Sequence, residues 1–316
     1  MIRTLRAAAL AALSLVLVAW PAQAVTAPRA ERSATARLSV ELCPPRGPVV
    51  PGESGTLEVR VTNQGPAATT DPTLVVVHLP PPAVVKSADP PVELTYFGTG
   101  SSYSVPAGLA PGATSVERLS LYVAPITPPF TTIGGDVQAF YPGDPDQSGH
   151  TTPYSLTTAD TRAHFMVGAS SAWQAGHPVP QPGDLTGAPG ATIDLPLWVY
   201  NAGPSYSTHP IDVRITVPEH TTLTGPTPYD CTAAGPRTLT CHYGVGPRYQ
   251  DAIFIDPAVV IDPGTTAGQV LSGGTLDVSG QEDCPSPDWH TDFSVTVTVT
   301  VAAGPPGGGP ERAPVR

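Results

Sequence analysis

Residues able to do chemistry are few in this sequence, and they are scattered. Eight histidines stand at positions 78, 150, 164, 177, 209, 220, 242 and 290. None belongs to an H-E-x-x-H pair, and there is no G-x-S-x-G, no C-x-x-C and no phosphate-cradling glycine loop. No catalytic residue is therefore assigned, and no cofactor is expected. A Ser-His-Asp set is recognised by geometry rather than spacing, so an uncharacterised hydrolase stays as the least favoured reading.

Two acidic groups have the residue type for a hard cation. Asp144 and Asp146 lie two apart in YPGDPDQSGH, and Asp71 is placed in a loop at the same pole. Calcium takes roughly six to eight oxygens, and the glutamate that completes a calcium loop is missing here. The second group is Glu282, Asp283 and Asp288, with His290 and Asp292 close by. Solvated acidic turns are the simpler reading of both, so these are weak candidates and no metal is assigned. Aromatic side chains offer a different chemistry. Trp198 and Tyr200 alternate with apolar neighbours and so should point away from the core. With Trp173 they are candidates for stacking on sugar rings or proline-rich peptides. The competing reading is that a loop or the other domain covers them, since tryptophan is usually well buried.

Something must position these groups, and a repeat shows what. Shifted by 138 residues, PGESGTLEVRVTNQGPAATTDPTLVVVHLP (51–80) falls on PGATIDLPLWVYNAGPSYSTHPIDVRITVP (189–218) without a gap. Eleven of thirty positions match, where chance gives about two, so the chain reads as two copies of one domain. Within each copy the polarity alternates. Leu57, Val59 and Val61 face one side, as do Ile193, Leu195, Leu197 and Val199 in the second copy. That is the period of a half-buried strand. Further strands follow at 74–79, 116–123, 134–140, 150–157, 212–217, 237–243, 273–280 and 293–301, separated by Pro/Gly turns. Pro196 fits such a strand poorly, because proline belongs at edges and bulges. The expected fold is all-β, two tandem β-sandwiches.

Asn63 and Asn201 are the only asparagines, and each opens the same turn: Asn63, Gly65 and Pro66, then Asn201, Gly203 and Pro204. Glycine can take the positive-φ position of a turn. Proline has no N–H, so the usual closing bond is lost. The Asn carboxamide can accept instead from the glycine N–H, an Asx-turn. On that one bond, Asn63→Ala should cost about 1 kcal/mol.

Together these features resemble a bacterial repeat catalogued as domain of unknown function 11, an immunoglobulin-like domain related to the bacterial cell-adhesion-related domain. The matching residues are Pro51-Gly52, Asn63, Gly65-Pro66, Leu79-Pro80 and Leu109-Ala110-Pro111-Gly112. In the second copy they are Pro189-Gly190, Asn201, Gly203-Pro204, Val217-Pro218, Cys231 and Cys241. The resemblance implies immunoglobulin-like sandwiches and an envelope or extracellular setting. CTAAGPRTLTC is similar to that family's cysteine-paired hairpin, which the first copy lacks.

Cys231 and Cys241 also flank a turn signal on their own account, which predicts a hairpin disulfide. Closing a ten-residue loop contributes on the order of 2–3 kcal/mol. Cys43 and Cys284 remain. In an immunoglobulin-like tandem Cys43 falls near the rear pole of the first domain and Cys284 at the front pole of the second. An inter-domain disulfide is the corresponding hypothesis, needing Cα atoms within about 7 Å.

The ends and the charge set the location. MIRTLR, an apolar run and Ala22-Gln23-Ala24 read as a signal peptide over residues 1–24. The apolar run is shorter than the roughly 20 residues of a spanning helix, so no membrane span is expected in the mature chain. Residues 25–35 read as a linker, 36–159 and 160–303 as the two domains, and 304–316 as a disordered Pro/Gly-rich tail. Removing the leader takes away two arginines and no acid, moving the net charge from −11 to −13. Such an acidic surface excludes nucleic acid as an expected partner. The reading is a secreted or loosely surface-associated structural or adhesion module of a bacterial envelope, not an enzyme, with an extracellular protein or polysaccharide as partner. A carbohydrate- or wall-binding protein using the exposed aromatics is the alternative.

Overall fold

The computed structural model describes residues 35–146, 150–169, 173–174, 177–178, 185–281 and 290–298. Every regular element among them is a β-strand. The first sandwich contains β1 (Leu38–Cys43), β2 (Ser54–Asn63), β3 (Thr73–His78), β4 (Ala83–Asp89), β5 (Thr95–Phe97), β6 (Gly100–Val105), β7 (Thr114–Val123), β8 (Thr132–Phe140) and β9 (Thr151–Thr157). The second contains β10 (Phe165–Ala169), β11 (Trp173–Gln174), β12 (His177–Pro178), β13 (Thr186–Gly187), β14 (Thr192–Asp194), β15 (Leu197–Asn201), β16 (Ile211–Thr216) and β17 (Thr221–Leu223). It continues with β18 (Cys231–Ala233), β19 (Thr238–Tyr243), β20 (Ala252–Ile255), β21 (Ala258–Ile261), β22 (Val270–Gly280) and β23 (His290–Val297). The leader, the tail and all but the last residue of the expected linker lie outside the described residues.

In the first sandwich, β1-β2-β7-β4 faces β5-β6-β3-β8-β9. The second repeats this order. The strand β18-β19-β16-β22-β23 series forms one sheet, extended by β13 in parallel to β23. Its partner layer is built from β10-β15-β20 and β14-β21-β17. The two copies are thus immunoglobulin-like sandwiches, each closed around its own core. Alternation explains the packing. Leu57, Val59, Val61, Leu119 and Leu121 are buried between the sheets of the first core. Burying each such leucine is worth roughly 1.5–3 kcal/mol relative to leaving it in water. Glu58 and Arg60 point out instead, and Glu58 takes bonds from Arg60 Nε (2.8 Å) and Arg118 Nε (3.1 Å).

One strand differs from its expected form. Where β2 runs unbroken for ten residues, the second copy stops at Asp194 and restarts at Leu197. The opposite strand breaks beside it, between Ile255 and Ala258. Pro196 and Pro257 sit at these gaps, and neither can donate to a ladder. Leu195 N still reaches Pro257 O at 3.0 Å, so the break divides the layer into two short sheets without opening it.

The first core also holds polar side chains with no partner. Ser101 Oγ, Tyr103 OH and Glu117 Oε2 are buried and make no hydrogen bond. Burial, and then the nearby Asp89 charge, push the Glu117 carboxyl above its ordinary pKa. Its protonated form is therefore favoured by folding. The stabilisation is fully present below the ordinary glutamate pKa near 4.5 and is lost as pH rises through the elevated folded value. Glu117→Gln should raise the melting temperature at neutral pH and flatten the melting-versus-pH curve above pH 4.5; thermal melts from pH 4 to 8 check this.

Candidate functional site

The two Asn-x-Gly-Pro turns cap β2 and β15 at the front poles of their sandwiches. In each, the Asn Oδ1 accepts from the N–H two residues on: Gly65 at 3.0 Å and Gly203 at 2.8 Å. The rest of each carboxamide is equally engaged. Asn63 Nδ2 donates to Ala67 O (2.7 Å) and Leu109 O (2.8 Å), and Arg37 N donates to its Oδ1 (3.2 Å). Asn201 Nδ2 donates to Ser205 O (2.9 Å) and Pro247 O (3.0 Å). Both asparagines are fully buried. One side chain thus ties three loops together, and the single-bond expectation undercounts it. The glycines differ from expectation too. Gly203 has φ +100°, but Gly65 is not among the positive-φ glycines. Gly65 is required by contact: a Cβ there would lie 2.4 Å from Arg37 N and Thr35 O.

The second turn carries a further function, because the first sandwich docks on it. Ser205 Oγ donates to Pro51 O at 2.6 Å and accepts from Arg162 N at 3.1 Å. Tyr206 N donates to Pro125 O at 3.1 Å. A Cβ on Gly52 would fall 1.9 Å from the Pro204 oxygen. Tyr249 packs over Gly203. Burial, and then Tyr249, push the phenol pKa values of both Tyr122 in the first sandwich and Tyr200 in the second upward. Ser205 was missed from sequence, although the signal existed: it replaces Ala67 at the matched position.

The expected ligand-stacking aromatics are not at the surface, which corrects their assignment. Trp198 is fully buried and Tyr200 is 8% exposed. All five residues of β15 are buried, so the strand has no solvent face. Trp198 lies against Gly168, where a Cβ would come within 2.2 Å of the indole. Parity chose the side correctly; it could not tell that this side is covered. The backbone of Trp173 sits in the short β11–β12 pair. The aromatics that do reach the surface include Tyr96, Phe97, Phe130 and Tyr229. Tyr96 and Phe97 line a cavity of about 260 Å³ with Leu79, Pro81 and Val84.

Cys231 and Cys241 form a disulfide between directly paired residues of β18 and β19. Cys43 is half-buried at the rear end of β1 and has no disulfide among the described residues. Cys284 lies outside them, as do Glu282, Asp283 and Asp288. His290 instead pairs with Asp277 and Asp292 on the outer face of the sheet. The Asp277 bond, aided by the charges of both aspartates, raises the imidazole pKa.

The first acidic group does not converge on one point. Asp71 is exposed and takes the Thr70 hydroxyl at 2.8 Å. Asp144 is 3% exposed. Its Oδ2 accepts from Leu38 N (3.0 Å) and pairs with the buried His150 Nε2 (2.9 Å), while Oδ1 accepts from Asp146 N (2.9 Å). Burial opposes its ionisation, yet the Asp146 and Leu38 amides and the His150 ring hold its pKa below the ordinary value. Its work is to lock the β8–β9 loop to β1. No group of three or more His, Cys, Asp or Glu placed to hold a metal occurs among the described residues.

No family model matches the chain, and no curated protein matches it. Solved structures do. It is similar to the CARDB domain of a Pyrococcus furiosus protein in complex with di-metal ions, at 14% identity and TM-score 0.30, over 40% of this chain and 96% of that one. It is similar to the major pilin subunit of Bacillus cereus, at 8% identity and TM-score 0.33, over 83% of this chain and 70% of that one. A C-terminal fragment of the major pilin of Streptococcus agalactiae matches at 10% identity and TM-score 0.30, over 82% and 91%. At these values nothing of what those proteins bind or assemble transfers to this chain.

Asn63→Ala should lower stability by about 2–3 kcal/mol, because it removes the bonds to the Gly65 and Arg37 N–H groups and to the Ala67 and Leu109 carbonyls, of which, among the described residues, only Leu109 O keeps another donor, Thr69 N; chemical denaturation measures it. Asp144→Ala removes the bonds to Leu38 N, Asp146 N and His150 Nε2 and should cost about 3 kcal/mol at neutral pH, with a smaller loss for His150→Ala/Asp144→Ala than the two single losses summed.

Proposed function

We propose that the chain is a non-catalytic structural module that works outside the cytoplasm, holding two sandwiches at a fixed angle and spacing. The observation that carries this reading is the junction. Ser205 is fully buried between the sandwiches and bridges Arg162 N to Pro51 O. A flexible tether would not bury a hydroxyl between two domains, since a buried polar group must keep its partners. The Cys231–Cys241 disulfide supports an oxidising compartment. No helix among the described residues is long and apolar enough to cross a membrane.

An adhesion role follows most simply through a protein partner. Covering Trp198 and Tyr200 removes the platform on which a sugar would stack, while Tyr96 and Phe97 remain exposed beside an apolar cavity. The domain limits at 36–159 and 160–303 and the Cys43–Cys284 pairing belong to this proposal. That disulfide, unlike Cys231–Cys241 within one hairpin, would join the two sandwiches and serve the same fixed joint.

X-ray scattering tests the joint. The wild type should fit one inter-sandwich arrangement. Ser205→Ala should broaden the distribution of maximum dimensions and lower stability by about 1–2 kcal/mol. A wild type that already samples a wide range of angles would sink the reading.

A further inference from the structure

The rear pole of the second sandwich is built like the rear pole of the first, which is the surface that docks on the Asn201 turn. In the first, Gly52 N donates to Val123 O, Val123 N to Glu53 O and Thr127 Oγ1 to Ala124 O. In the second, Gly190 N donates to Ile261 O, Ile261 N to Ala191 O and Thr265 Oγ1 to Asp262 O. Both glycines hold positive φ, +87° and +74°. Pro125, whose carbonyl accepts from Tyr206, has Pro263 as its counterpart. The difference is occupancy. Gly52 abuts Pro204, whereas among the described residues a Cβ on Gly190 would meet Pro263 of its own sandwich alone, at 3.8 Å.

The receiving surface is duplicated in its side-chain bonds but not in its backbone, since Gly203 holds φ +100° before a cis Pro204 and Gly65–Pro66 has neither feature. The Asn63 turn has the same carboxamide bonds as the Asn201 turn, and Gln64 N donates to Arg37 O as Ala202 N does to His164 O. Yet Gln64, Pro66 and Ala68 are exposed. Arg37 is exposed beside this turn and Asp262 is exposed beside Pro263, so opposite charges flank the two surfaces.

We propose that the front pole of the first sandwich receives the rear pole of the second sandwich of another copy of this chain, repeating between molecules the joint made within one. This rests on the same junction as the function proposed above; scattering tests the joint within one molecule, and self-association tests the joint between molecules. Such a contact is head-to-tail and need not close, so it propagates into open chains. One bond of the internal joint is absent at this position. Ala67 stands where Ser205 reaches the Pro51 carbonyl, so the contact between molecules is the weaker of the two.

That difference supplies the test. Sedimentation velocity of the purified full chain from about 1 µM to about 1 mM should show mass rising with concentration and passing dimer. Ala67→Ser restores the missing hydroxyl and should tighten the association about five- to tenfold. Ala68→Asp, at an exposed site, should abolish it while leaving the thermal melt unchanged. The double variant Ala68→Cys/Pro263→Cys should give a ladder on non-reducing gels that neither single variant gives. A wild type and Ala67→Ser that both stay monomeric across the range would overturn the proposal. So would a closed dimer that survives Ala68→Asp, because it would use another surface.

Discussion

A buried asparagine carboxamide that satisfies several backbone groups at once is the constraint on which both sandwiches depend. A proline after the turn glycine removes the usual donor, and the turn cannot close by main-chain bonding alone. Asn63 and Asn201 replace that bond and add others to carbonyls 46 residues away. Each front pole is thereby fixed as a surface rather than a set of loops. Only on such a surface can a neighbouring sandwich seat with its own polar groups paired.

The junction shows how one device was put to two uses. At Asn63 the turn holds its own first strand, and Gly65 is needed because that backbone passes within reach of any side chain. At Asn201 the same turn holds its strand and also presents Pro204, Ser205 and Tyr206 to the preceding sandwich. A serine in place of an alanine marks the second use. Asp144, a weak ligand candidate in sequence, is an internal fastening of the same kind, held to Leu38 N and His150.

Much of the fold was legible because strands and turns are local. Period-two alternation found β2 and its partners, and the 138-residue shift predicted two sandwiches with one strand order. The turn signal between Cys231 and Cys241 found the hairpin that they close. The Pro196 anomaly was visible as well, but its resolution was not. A break in β14–β15 is tolerated because the facing strand breaks at Pro257 beside it, and those prolines are 61 residues apart.

The sequence by itself determined the all-β class, the tandem repeat, the turn chemistry and the pairing of one hairpin, since each rests on residues close together or on a repeat that can be counted. Tertiary structure alone decided which surfaces exist. Whether Trp198 meets solvent, whether Asp144 stays a solvated turn residue or holds Leu38, and whether Ser205 is a loop residue or a joint all depend on groups brought together from more than twenty to 154 positions away. Alternation states which way a side chain points; burial depends on what arrives there from elsewhere in the chain.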